Sequence, residues 1–140
     1  MHIEIINGPN LNLLGKREPE LYGSESFEDY LPRLQAMFPQ VSLSYYQSNV
    51  EGELVNRLQA VGFEADGVVF NAGAYTHTSV AIHDCILAIK APVVEVHLSN
   101  IHARESYRHT SLITSACRGM VSGFGLDSYR LAVEALLQVR

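Results

Sequence analysis

Short runs of β-branched and other apolar residues alternate along the chain with longer segments whose apolar residues return every three or four positions. The runs are HIEII (2–6), VSLSYY (41–46), GVVF (67–70), PVVEVHL (92–98) and GMVSGFG (119–125). Three are nearly continuous, which suits strands covered on both faces. Phe27, Leu31, Leu34 and Phe38 form the first helical stripe, after a Ser26 cap with Asp29 three residues on. Pro32 within it predicts a kink or a late start. Leu54, Val55, Leu58 and Val61 form a second stripe, stopped by Gly62; Ile82, Ile86 and Ile89 form a third, stopped before Pro92. A last helix runs from about Ser128, and the segment from Ile101 to Ala116 reads as a loop plus a short helix.

Five strands alternating with helices give an open parallel sheet within a single domain, residues 1–140. Right-handed crossovers at this size favour the flavodoxin-like order 2-1-3-4-5, with helices on both faces. Ligands of such folds bind outside the carboxyl ends of the strands, at the switch between strands 1 and 3. The unusual polar stretches lie there. NGPNLNLLG follows strand 1, NAGAYTHTS follows strand 3 and EVHLSNIHAR follows strand 4, whereas the opposite strand ends show nothing comparable.

Glu95 and His97 stand two apart in an otherwise apolar strand, so they point to one face. Two readings stand: a structural pair, or a histidine held in one tautomer as general acid or base. Asn10, Asn12 and Asn71 can bond a hydroxyl, position a water, or cap turns. Gly73 and Ala74, before a helix starting near Thr78, offer backbone N–H groups to an anion, and His77 and Ser79 offer side chains; ordinary capping by Thr76 or Thr78 is the alternative. Arg104 and Arg108 would share a face if their segment is helical, either as surface charges or as clamps for an anionic substrate.

The formal charge of -5 argues against a nucleic-acid partner. No run approaches the ~20 apolar residues of a membrane span, and the start MHIEIING lacks the pattern of a secretion signal. Cys85 and Cys117, without CxxC spacing, read as buried free thiols of a reducing cytoplasm. There is no GxGxxG, no P-loop, no GxSxG elbow and no metal-ligand spacing, and Lys16 and Lys90 are the only lysines. No cofactor and no metal are expected.

NGPNLNLLGKREPELYG, NAGAYTHTSVAIHD, EVHLSNIHARESYRH and GFGLDSYRLA, in this order and spacing, resemble type II 3-dehydroquinate dehydratase over essentially the whole chain. The resemblance implies a flavodoxin-like fold and reversible loss of water from 3-dehydroquinate, giving 3-dehydroshikimate in the shikimate pathway without cofactor, metal or Schiff base. It implies a homododecamer built from trimers. It makes Tyr22 the catalytic base, Arg17 the loop arginine that stabilises the transition state, His97 the proton donor with Glu95 as partner, and Asn10 the residue that positions a water. Asn71, His77, Asp84, Leu98, Ser99 and Arg108 match substrate-binding positions, and Arg104 a further arginine near the tyrosine. Asp84 corresponds to a position that reaches a neighbouring subunit's site. His83 and Cys85 depart from the commonest pattern, which often has arginine and alanine there, and residues 105–122 are more divergent than the motifs around them.

This gives a role to a tyrosine lying between two glycines in a polar loop, beside Lys16 and Arg17. An ordinary phenol, with a pKa of about 10, is rarely ionised at neutral pH. A guanidinium a few ångströms away favours the phenolate. Residues 15 to 23 are expected to be mobile without ligand and to bring base and activator together on closing. Two rivals remain: a flavodoxin-like module that binds FMN or a partner, and a different enzyme acting on another carboxylated polyol. The first is disfavoured because the stretch after strand 1 lacks a run of Ser, Thr and Gly.

Overall fold

The computed structural model describes residues 1–16, 20 and 24–139. Residues 17–19 and 21–23, Arg17 and Tyr22 among them, lie outside the described residues. Five strands, β1 (His2–Asn7), β2 (Ser42–Gln47), β3 (Gly67–Asn71), β4 (Val93–His97) and β5 (Gly119–Ser122), alternate with helices α1 (Phe27–Met37), α2 (Glu51–Val61), α3 (Val80–Ala88) and α4 (Asp127–Gln138). All strand pairs are parallel, in the order β2-β1-β3-β4-β5. This is the flavodoxin-like arrangement expected from the sequence.

The pleat divides the sheet's side chains between two cores. Ile3, Ile5, Val69, Val94 and Val96 pack on α1 and α4, through Phe27, Leu34, Tyr129 and Val133. Ile6, Val68, Phe70 and Val93 pack on α2 and α3, through Leu54, Leu58, Ile82 and Ile86. Each fully buried side chain of this size contributes about 1.5–3 kcal/mol. Ser26 caps α1 as expected, its hydroxyl accepting from the Asp29 N–H at 3.1 Å. The helix begins at Phe27 and runs through Pro32, so the late start does not occur.

Three expectations are corrected. Residues 101–116 hold no α-helix, but three 3₁₀ turns at Ile101–Ala103, Ser106–Arg108 and Thr114–Ala116. Short polar side chains compete for the backbone here. Asn100 accepts from the His102 N–H, and Ser111 from those of Ile113 and Thr114. Thr76 and Thr78 do not cap α3, nor does Ser79 face a ligand: its hydroxyl caps that helix, accepting from the Ile82 N–H at 2.9 Å. Finally, the pocket rim is not the only polar cluster. Glu4, read as part of an apolar run, is fully buried, bonded to Arg57 Nε at 2.6 Å and to the Ser44 hydroxyl.

At the carboxyl rim, the loops after β1 and β3 touch backbone to backbone. The Gly8 N–H donates to the Asn71 carbonyl at 2.7 Å. A Cβ on Gly8 would sit 2.6 Å from the Ala72 oxygen, so a side chain there is excluded. Asn10 takes a left-handed conformation at φ 70, which asparagine tolerates better than most residues.

Candidate active site

The pocket sits where the fold rule places it and encloses about 730 Å³, open mouth included. Asn10 and Leu14 wall it from the β1 loop, Asn71 and His77 from the β3 side, and His97, Leu98, Ser99, Arg104 and Arg108 from β4 and the crossover beyond. Asn71 shares its face with the α1/α4 core and His97 with the α2/α3 core, so the pocket receives side chains from both sides of the sheet.

His97 Nε2 donates to Glu95 Oε2 at 2.5 Å, and both side chains are almost fully buried. Two more donors converge on that carboxylate: the Ser111 hydroxyl on Oε2 at 3.0 Å and the Thr114 hydroxyl on Oε1 at 2.5 Å. Burial alone would push the Glu95 carboxyl up, but bonds from His97 and Thr114, the charge of His97 and the Ser111 bond hold it below its ordinary 4.5. It is therefore ionised at neutral pH, which fixes Nε2 as the protonated nitrogen and leaves Nδ1 clear of the carboxylate. Cys117 lies close by, but burial, helped by the Glu95 charge, pushes its thiol up to about 12 and keeps it unreactive.

His77 Nδ1 donates to the Thr110 carbonyl at 2.8 Å, and its ring lies 6.4 Å from that of His97. Arg108 Nε donates to Glu105 Oε2 at 2.7 Å, and Arg104 Nη1 reaches Ser99 Oγ at 3.5 Å. The two arginines meet at the pocket through a folded crossover, with extended backbone at Arg104, and not through one helical face. Of the two amides expected to await an anion, that of Gly73 is already taken, donating to Asn71 Oδ1 at 3.1 Å. Among the described residues no group of three metal-ligating side chains occurs, and no helix is long and apolar enough to cross a membrane.

The family model "Dehydroquinase class II" matches residues 1–137. The chain belongs to the class II dehydroquinase family. It is 53% identical to the 3-dehydroquinate dehydratase of an Exiguobacterium species, over 99% of this chain and 95% of that protein. The crystal structure of the type II dehydroquinase from Butyrivibrio crossotus superposes with a TM-score of 0.95 at 39% identity, covering 99% of this chain and 98% of that one. The type II dehydroquinase from Propionibacterium acnes gives 0.94 at 34%, covering 99% and 97%.

Of the twelve site residues expected for this dehydroquinase, Asn10, Asn71, His77, His97, Leu98, Ser99, Arg104 and Arg108 line one pocket, and Glu95 lies behind His97. Asp84 does not line it; its side chain is 71% exposed on α3, opposite Ile82 and Ile86. Asn12 also stands apart, accepting a long bond from Gln47. The sequence reading missed Ser111 and Thr114. The available signal was indirect: a buried carboxylate on β4 demands donors, and the crossover after β4 is rich in hydroxyls.

Proposed function

We propose that this chain is a hydro-lyase that eliminates water from 3-dehydroquinate to give 3-dehydroshikimate, as in the biosynthesis of aromatic amino acids, through an enolate and without metal, cofactor or imine. The observation that best supports this is the ionised Glu95 holding His97 by one nitrogen beneath a pocket walled by Arg104 and Arg108. Such a pair orients the imidazole through one nitrogen and leaves the other for proton transfer to a departing hydroxyl.

Tyr22, as phenolate beside the Arg17 guanidinium, removes the proton next to the ketone. The enolate charge is held through a water bound by Asn10. The carbon–oxygen bond then breaks, the hydroxyl takes the His97 proton and leaves as water, and solvent returns a proton from Tyr22 to His97. Asn71, His77, Leu98, Ser99 and Arg108 hold the substrate, the guanidinium facing its carboxylate.

The test is optical. Adding 3-dehydroquinate should raise the absorbance of the conjugated product, and neither EDTA nor borohydride added with substrate should stop it. No rise would refute the reading; inactivation with a reduced adduct on Lys16 or Lys90 would show imine chemistry instead.

We further propose a cytoplasmic homododecamer of trimers in which Asp84 serves a neighbour's pocket; the exposure of its side chain on α3 is compatible with a contact from another subunit. Light scattering should give a particle of twelve chains. A monomer with full activity at assay concentration would exclude shared sites.

A further inference from the structure

We propose that Tyr129, a residue of α4 outside the pocket, is a positioning residue: its phenol fixes the orientation of the Asn71 amide and so the polarity that Asn71 presents to the substrate. The inference rests on the pocket binding 3-dehydroquinate as proposed above.

Asn7 and Asn71 are register partners at the carboxyl ends of β1 and β3, so their side chains fall on the same face of the sheet. That face is covered by α4, and Tyr129 rises from it fully buried, its ring 4.8 Å from that of Phe27. The phenol donates to Asn7 Oδ1 at 2.7 Å and accepts from Asn71 Nδ2 at 3.1 Å. The other end of the Asn71 amide accepts from the Gly73 N–H. Turning the amide over would set N–H against the Gly73 N–H, and oxygen against a phenol oxygen whose proton is already committed to Asn7. Both ends therefore favour one orientation. What remains for a ligand is one N–H and one oxygen lone pair at set places.

The network is kept at a cost. Asn7 Nδ2 is buried with only a loose contact to the Tyr45 phenol, and the hydroxyl of the neighbouring Tyr30 is buried without a hydrogen-bond partner. An aliphatic Asn7 would avoid the first of these, but would take away the acceptor that holds the phenol's proton away from Asn71. With that proton free, the phenol can donate to the amide, and one of the two constraints on Asn71 is lost.

Tyr129→Phe keeps the packed ring and removes only the hydroxyl. It should raise KM for 3-dehydroquinate about 10-fold, the loss of roughly one well-made contact, with kcat changed by less than about 3-fold. Tyr30→Phe removes the same atom from a phenol with no partner and should leave both constants unchanged. The decisive readout is a double-mutant cycle: with Asn71→Ala already in place, Tyr129→Phe should add nothing to KM. An equal rise in both backgrounds, or none in either, would overturn the inference. Should Tyr129→Phe fail to fold, Asn7→Ala asks the same question by removing the phenol's acceptor, and an unchanged KM there would overturn it equally. A wild-type protein that does not turn over 3-dehydroquinate would overturn the substrate reading, and this inference with it.

Discussion

Tyr22→Phe should lower turnover by at least the ~10²–10⁴-fold typical of losing a general base, while hardly changing the affinity for an unreactive analogue. The change removes one oxygen and keeps the ring, so whatever Tyr22 contributes by filling space survives. The proton next to a ketone is only weakly acidic and needs a base with an appreciable ionised fraction at neutral pH. A nearby cation favours the ionised phenol, and Arg17 stands five residues before Tyr22 in the sequence. Arg17→Lys keeps the charge but not the planar fork, and should also be slow. Affinity is the discriminating measurement. A base acts on the transition state, so kcat should fall while analogue binding holds. A variant that turns over at near wild-type rate would move the search for the base to His97.

His97→Gln should fall by a similar ~10²–10⁴-fold, but at a different step. Glutamine preserves a polar side chain beside Glu95 without an acidic proton to deliver. Proton removal by Tyr22 should continue, so deuterium from solvent should still wash slowly into the carbon next to the ketone while no water is expelled. The structure sharpens this contrast. Glu95 takes bonds from Ser111 and Thr114 as well as from His97, so it keeps two of its three side-chain donors even if glutamine fails to reach it. The loss should therefore be one of chemistry and not of fold. Absence of both exchange and elimination in a folded variant would show that His97 is needed before the enolate forms.

The fold was legible because the strands are covered on both faces. Near-continuous apolar runs such as GVVF have few other uses in a chain this short, and the stops at Gly62 and before Pro92 punctuated the helices between them. The Glu95–His97 pair was legible for a related reason: two polar residues of equal parity in an apolar strand must share a partner or a purpose. What escaped were contacts made across the sequence. Ser111 and Thr114 reach Glu95 from a segment with no period, where local turns override any helical pattern. Glu4 passed as a strand residue because its counter-charge, Arg57, lies 53 positions away on a helix. Ser79 looked available for a ligand because nothing in NAGAYTHTS marks where the following helix begins, and only the cap itself does.

The contact of Gly8 with Ala72 has a consequence for how such a pocket can be altered over evolution or in the laboratory. With backbone pressed on backbone, Gly8 can accept no side chain at that point, so the two loops that carry Asn10 and Gly73 into the pocket form a fixed floor. The roof, from Ser99 to Arg108, follows short turns outside the sheet that can be exchanged without touching a strand, whereas Ser111 and Thr114 beyond it are tied to Glu95 on β4. Diversity in ligand preference among chains of this design is accordingly expected to accumulate in the roof, while the floor changes little.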